Sequence, residues 1–271
     1  MAAPRPHPLA DPSGLASYRD AVAYLETYIR GNAEPPADRD ATGRERMAAM
    51  ARLMAALGDP HLAYPTVHVT GTAGKGSTSA MLASVLQAAG HRTGLHTTPY
   101  LQEAVEKVQV DGRAIAPGTL TAVITDLRTL LGAQPSLAAE ATFVHLWTAV
   151  TFEALRRCGT ELAIIEASAG GRYDATNVVQ PLVAVITNVG HDHLTFLGPT
   201  LADVAYHKAG VIKPGVPAVT AALHPDAVVI GSGLGGLTAG DRVHVEADVI
   251  GKYVQRLAAG SLAALATHDH L

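Results

Sequence analysis

The sequence predicts an α/β protein: a mostly parallel, doubly wound sheet with helices preceding it. Three observations predict it. From residue 67 onward, short apolar strands alternate with amphipathic helical stretches. Leu162–Ile165 and Leu182–Ile186 are continuous apolar runs, the pattern of parallel strands covered on both faces. Val67–Val69 runs through a glycine-rich turn straight into a helix.

Each element has its own signal. Residues 1–16 are expected to be disordered. Tyr18–Arg30 reads as a helix with Val22, Leu25 and Ile29 on one face and Gly31 as its stop. Residues 32–42, with Pro35 and Pro36, read as a polar loop. Arg44–Leu57 is a second helix whose Met47, Met50, Met54 and Leu57 have core spacing. Ser77–Ala89 reads as a helix with Leu82, Val85, Leu86 and Ala89 inward and Gly90 at its end. Gly94 opens another strand. Val105–Val110 alternates into an Asp111-Gly112 turn, so it reads as half of a hairpin. Thr119–Leu131, Thr142–Arg157 and Leu201–Gly210 read as helices, and Val216–Thr220 as a last strand. The α/β unit is expected over 17–220, with an atypical tail over 221–271.

Composition excludes several classes. Hydrophobic residues make up 48% and charged residues 16% of 271, so the chain is globular. A net charge of −4 argues against nucleic acid as a partner. Cys158 is alone, which excludes a disulfide framework and a cysteine zinc site; it reads as a half-buried packing residue. No apolar run reaches the roughly 18 residues of a membrane span, so no membrane partner is expected. Prolines in MAAPRPHPLADPSG stand where a signal peptide needs apolar residues, and a cytoplasmic protein is expected.

The stretch VTGTAGKGST carries the chemistry. Gly71, Gly74 and Gly76 allow a tight turn, so that several N–H groups point at one anion. The helix start that follows adds partial positive charge. Thr72 lies within this cradle, Lys75 can reach terminal phosphates, and Ser77 or Thr78 can meet a phosphate or a magnesium ion. The standard P-loop pattern is not met: Val69 stands where it needs glycine, and Gly76 where it needs serine or threonine. An ordinary strand–helix turn with a solvated lysine is the alternative.

Three later stretches bear on it. Glu166 ends a buried strand at the edge where ligands bind in such sheets, and a hard cation needs an oxygen ligand there. Its alternative is a paired strand-end carboxylate, with Arg172 and Asp174 as a surface pair. Gly170-Gly171 permits close backbone approach. His191 and His193, two residues apart, offer zinc ligands, a magnesium or phosphate contact, or, for His191, only a solvated loop. Lys208 and Lys213, taken alone, read as solvated.

Together these stretches resemble the folylpolyglutamate synthase and dihydrofolate synthase family of Mur-ligase-like amide ligases. VHVTGTAGKGST is similar to HVTGTNGKGS, and GLHTTPYLQEAVEKVQVDG to TSPHL…ERI..DG. EASAGGRYDATNVV resembles EVGLGGRLDATN, and ITNVGHDHLTFLGPTLADVAYHKAGVIKPG resembles ITNIGLDHTEYLG.TLEEIA.EKAGIIKPG. The resemblance covers residues 18–219. It implies a P-loop sheet of the Mur ligase central-domain type, with ATP and Mg²⁺ as cofactors. It also implies small-molecule partners, L-glutamate and either dihydropteroate or a folate, joined through an acyl phosphate. By the same resemblance, Lys75 binds the terminal phosphates with Gly74, Gly76 and Ser77. Thr98, Glu166 and His193 hold the metal, and Lys208 becomes a carbamate, so it is expected to be partly buried. Ala73, Tyr100 and Val144-His145 depart from the family pattern and leave the acceptor open. So do two other readings, a Mur-like ligase for another amino acid and a nucleotide-binding module without ligation.

Family members run well past 400 residues, and their later part supplies adenine and glutamate contacts. The resemblance therefore implies a truncated form with weak or no turnover on its own. Residues 233–257, GLGGLTAGDRVHVEADVIGKYVQRL, resemble instead the end of riboflavin synthase, a final strand and a subunit-contacting helix. That match supports no activity by itself. The motifs specify no oligomeric state.

Overall fold

The computed structural model describes Leu15 and residues 17–29 and 36–221. The expectations for residues 1–14 and for the riboflavin-synthase-like tail lie outside the described residues.

The chain forms α1 (Tyr18–Glu26), α2 (Arg39–Ala56), β1 (Thr66–Thr70), α3 (Lys75–Ala88) and β2 (Thr93–His96). A hairpin of β3 (Val108–Val110) and β4 (Arg113–Ala114) follows, then α4 (Pro117–Ala133), α5 (Pro135–Glu140) and α6 (Phe143–Arg157). The last elements are β5 (Leu162–Glu166), β6 (Val183–Ile186), α7 (Leu194–Leu197), α8 (Leu201–Ala209) and β7 (Ala218–Thr220). The seven strands lie in the order β4-β3-β2-β5-β1-β6-β7. All pairs from β2 to β7 are parallel, and β3 and β4 add an antiparallel edge.

Alternation along the strands divides the core. Val67 and Val69, Ile164, and Val183 and Val185 pack with Leu82 and Leu86 of α3 on one face. Ala163 and Ile165 face the larger cluster, built from α1, α2, α4 and α6 around Leu25, Met50, Leu120, Leu146 and Phe152. Glu166, Thr70 and Ile186 thereby come to one edge, at the carboxyl ends of adjacent strands.

Several expected boundaries move, each for a local reason. The first helix ends at Glu26, because Thr27 turns its hydroxyl onto the Tyr24 carbonyl at 2.7 Å and Tyr28 swings inward. Ile29, expected inward, is consequently exposed. The second helix starts inside the expected loop, where the Asp38 carboxylate accepts the Ala41 N–H at 2.8 Å and caps it. On α3 the inward face is Ser79, Leu82, Ala83 and Leu86, whereas Val85 and Ala89 are exposed. The helix starts two residues earlier than expected, at Lys75. The alternation from Val105 is only partly strand: Ala104–Lys107 is a 3-10 turn, and the hairpin begins at Val108. Asp111 and Gly112, at φ 51° and 72°, close it as the dipeptide predicts. Met50 and Met54 are core residues, and Cys158 is free and half-buried, as read from the sequence.

Candidate functional site

The glycine-rich loop joins β1 to α3. Gly74 precedes the helix, and the amides of Lys75, Gly76 and Ser77 come before its first intrahelical bond, Thr78 N–H to the Gly74 carbonyl at 2.9 Å. These three amides and the helix dipole therefore present donors at one point. No side chain caps them. The Lys75 ammonium folds back to donate to the Gly71 carbonyl at 3.0 Å.

The loop is held by the segment after β6. The Asn188 side-chain oxygen accepts the N–H groups of Thr72 at 3.0 Å and Ala73 at 2.9 Å. The Thr72 hydroxyl donates to the Gly190 carbonyl and accepts the Gly190 N–H, both at 3.0 Å. Thr187 donates to the Ala73 carbonyl at 2.6 Å. Thr72 is thus engaged in shaping the cradle. Gly71 lies beneath this clasp at φ 153°, and a Cβ there would sit 1.8 Å from the Thr187 hydroxyl, so only glycine fits.

Glu166 stands beside the loop at the end of β5, almost fully buried. One carboxylate oxygen accepts the Thr98 N–H at 3.1 Å. A Cβ on Gly76 would lie 3.5 Å from that same oxygen, so helix start and carboxylate are in contact range. Burial pushes the Glu166 carboxyl up, while the Thr98 N–H and the charges of Lys75 and Lys107 pull the other way. Thr98 and Glu166, expected together, are together, and no ion pair involves Glu166 among the described residues.

A second group forms around Asp192. Its carboxylate lies 3.3 Å from the Lys208 ammonium and 3.4 Å from His193 Nε2. Lys208 is fully buried, which overturns the solvated reading and meets the expectation of burial. Desolvation brings its pKa down to about 8; Asp192 opposes that shift and the charge of Lys75 adds to it. His193 is half exposed at φ 47° and starts α7. No hydrogen bond joins it to Thr98 or Glu166. Lys75 links the two groups electrostatically, since its charge acts on both Glu166 and Lys208. No cluster of three His, Cys, Asp or Glu side chains suited to a metal occurs among the described residues. The ligand placed here is an oxygen donor, the Glu166 carboxylate beside the Thr98 N–H. A sparse oxygen set suits magnesium, which keeps waters and phosphate oxygens in its shell.

The turn after Glu166 is structural. The Asp174 carboxylate accepts the N–H groups of Ser168, Ala169 and Thr176 at 2.9, 3.1 and 3.0 Å, and the Thr176 hydroxyl at 2.5 Å. Because that hydroxyl donates to Asp174, His68 Nε2 at 2.8 Å must donate to it, which assigns the tautomer of this buried imidazole. Gly171 packs so closely on α8 that a Cβ would meet the His207 and Lys208 carbonyls at 3.0 and 3.2 Å. Close backbone approach, expected of Gly170-Gly171, is here approach to α8. Arg172 donates to the Tyr206 carbonyl at 3.2 Å and stacks 3.9 Å over that ring, so it is no surface partner of Asp174. Lys213, read as solvated, donates to the Asn177 carbonyl at 3.0 Å.

Asn188, Asp192 and Lys107 carry no role in the sequence reading. The signal for the first two was their place just after a strand at the ligand edge. The signal for Lys107 was its place within the alternating Val105–Val110 stretch.

The pattern that defines the Mur ligase middle domain matches residues 69–226, which contain the loop, Glu166 and the Asp192–Lys208 pair. The chain belongs to this family. Among curated members, the dihydrofolate synthase/folylpolyglutamate synthase of Bacillus subtilis is 36% identical over 218 residues, covering 80% of this chain and 48% of that protein. The folylpolyglutamate synthase of Lacticaseibacillus casei is 35% identical over 216 residues, covering 79% and 48%. The apo form of the L. casei enzyme superposes with a TM-score of 0.69 at 34% identity, covering 78% of this chain and 50% of that one. The Mycobacterium tuberculosis folylpolyglutamate synthase complexed with ADP gives 0.67 at 32%, covering 78% and 46%. The chain thus spans about half the length of the curated relatives it matches. No helix among the described residues is long and apolar enough to cross a membrane.

Proposed function

We propose that this chain carries the nucleotide site of an ATP-dependent ligase. The ligase joins the amine of L-glutamate to the carboxylate of dihydropteroate or a reduced folate. One observation supports the reading above the others: three helix-start amides, the Lys75 amine and the Glu166 carboxylate meet at one strand edge, with buried Lys208 in electrostatic reach.

The reaction brings two anions together. A carboxylate oxygen of the acceptor attacks the terminal phosphorus of ATP, ADP leaves, and an acyl phosphate forms. The glutamate amine then attacks the acyl carbon, phosphate leaves, and the amine proton passes to solvent. The Lys75–Ser77 amides and the Lys75 ammonium bind and orient the triphosphate and offset its charge. Glu166, Thr98 and His193 would hold the Mg²⁺, which when bound neutralises phosphate charge. Lys208, half deprotonated near pH 8 and placed beside Asp192, would take up CO₂ as a carbamate, giving this edge a further anionic oxygen pair. Curated relatives carrying the names folylpolyglutamate and dihydrofolate synthase support this acceptor class, as does a solved relative described as an FPGS-AMPPCP-folate complex, with a TM-score of 0.71 at 31% identity.

The test is direct. ATP should bind in a Mg²⁺-dependent titration, and Lys75→Ala should abolish that binding; unchanged affinity refutes the loop assignment. Coupled assays for ADP and phosphate with dihydropteroate and glutamate then report ligation. Binding without turnover assigns only the nucleotide step to this chain.

A further inference from the structure

One lysine near the site has no acceptor among the described residues. Of the four described lysines, Lys75 donates to the Gly71 carbonyl, Lys208 to Asp192 and Lys213 to the Asn177 carbonyl. The Lys107 ammonium instead lies 5.3 Å from the ring centroid of Trp147 and 6.0 Å from that of Tyr100. Among the described residues it has neither a hydrogen-bond acceptor nor an ion pair. Ring faces attract a cation but accept none of its three N–H bonds in the ordinary sense. Lys107 is half-buried, and its nitrogen is not sealed from solvent.

Its position is determined by the sheet. Val108 pairs with His96, and His96 with Ile165, so Lys107 and Glu166 each stand one residue beyond the same row. Two strand spacings separate their backbones, about 10 Å. The Lys107 carbonyl is fixed by the Thr97 N–H at 3.3 Å and by His96 Nδ1 at 3.0 Å. Since a carbonyl only accepts, His96 Nδ1 carries the proton. Lys75 and Lys107 both act on the Glu166 charge, one from the nucleotide loop and one from the start of the β3 hairpin.

Transfer of a phosphoryl group to a carboxylate needs a cation for each anion. Lys75 serves the triphosphate. We infer that Lys107 binds the acceptor's carboxylate and holds it beside Glu166 for attack on the terminal phosphorus. This inference rests on the ligase reading and names the residue that reads the acceptor's charge.

The test uses the full chain with Mg²⁺ and AMPPCP, titrated with pteroate, which has one carboxylate, and with its neutral carboxamide. The wild type should prefer pteroate. Lys107→Met keeps an apolar stem against Trp147 and should lose about ten- to a hundred-fold of that preference, the range of one charge-assisted hydrogen bond. Lys107→Arg should keep most of it, and AMPPCP should still bind to all three. An undiminished preference in Lys107→Met overturns the inference. So does a wild type that binds AMPPCP without preferring the carboxylate. A wild type that does not bind AMPPCP refutes the nucleotide reading itself and, with it, the basis for this role.

Discussion

Replacing Lys208 by methionine should stabilise the protein at neutral pH. The side chain is fully buried, and its only polar partner among the described residues is Asp192 at 3.3 Å. Burial brings its pKa from 10.5 down to about 8. A depressed folded pKa means that the unfolded chain binds more protons between pH 8 and 10.5. Stability therefore climbs with pH across that window, and the contribution is lost as pH falls toward 8. At pH 7 the buried ammonium costs about 3 kcal/mol, the free-energy equivalent of that shift. Methionine matches the stem and carries no charge, so Lys208→Met should gain up to about 3 kcal/mol at pH 7, less the cost of leaving Asp192 without its cation. Guanidinium unfolding of both proteins at pH 7 and pH 10, without bicarbonate, measures the gap. The gap should narrow at pH 10. Lys213, also lowered to about 8, titrates in both proteins and cancels. A gap of equal size at both pH values would refute the reasoning. Bicarbonate at pH 8 should then stabilise the wild type more than Lys208→Met, which lacks the buried Lys208 amine and keeps only the Lys213 amine lowered to the same range.

Three further changes test the site. Glu166→Gln retains an acceptor for the Thr98 N–H but removes the charge, so Mg²⁺-dependent ATP binding should weaken about tenfold or more while Mg²⁺-free binding holds; equal losses in both titrations would count against a metal role. Gly71→Ala drives a methyl into the Thr187 hydroxyl and should cost about 1–3 kcal/mol with loss of nucleotide affinity. Wild-type values in calorimetry would show that the clasp yields freely. Asp174→Asn turns an amide toward groups that donate, and should cost about 1–3 kcal/mol, seen as a fall in Tm of several degrees. An unchanged Tm would mean the 168–176 turn stands without its carboxylate.

The amino-acid sequence by itself determined what local chemistry controls. Strand–turn–helix order, the hairpin at Asp111-Gly112 and the glycine-lysine loop depend on neighbours within a few residues, so period and turn signals were enough. Element ends were less legible where one side chain decides them, as Thr27 and Asp38 do. Tertiary structure alone decided the strand order and everything hung on it. Asn188 clasps a loop 116 residues away, Lys208 is sealed from solvent, and Asp174 faces inward. No local pattern marks such residues, because a lysine or asparagine is equally at home in water until distant segments remove the water. The same applies to Lys107: its charge was visible in the chain, but its lack of an acceptor among the described residues became visible only once β2 and α6 were packed around it.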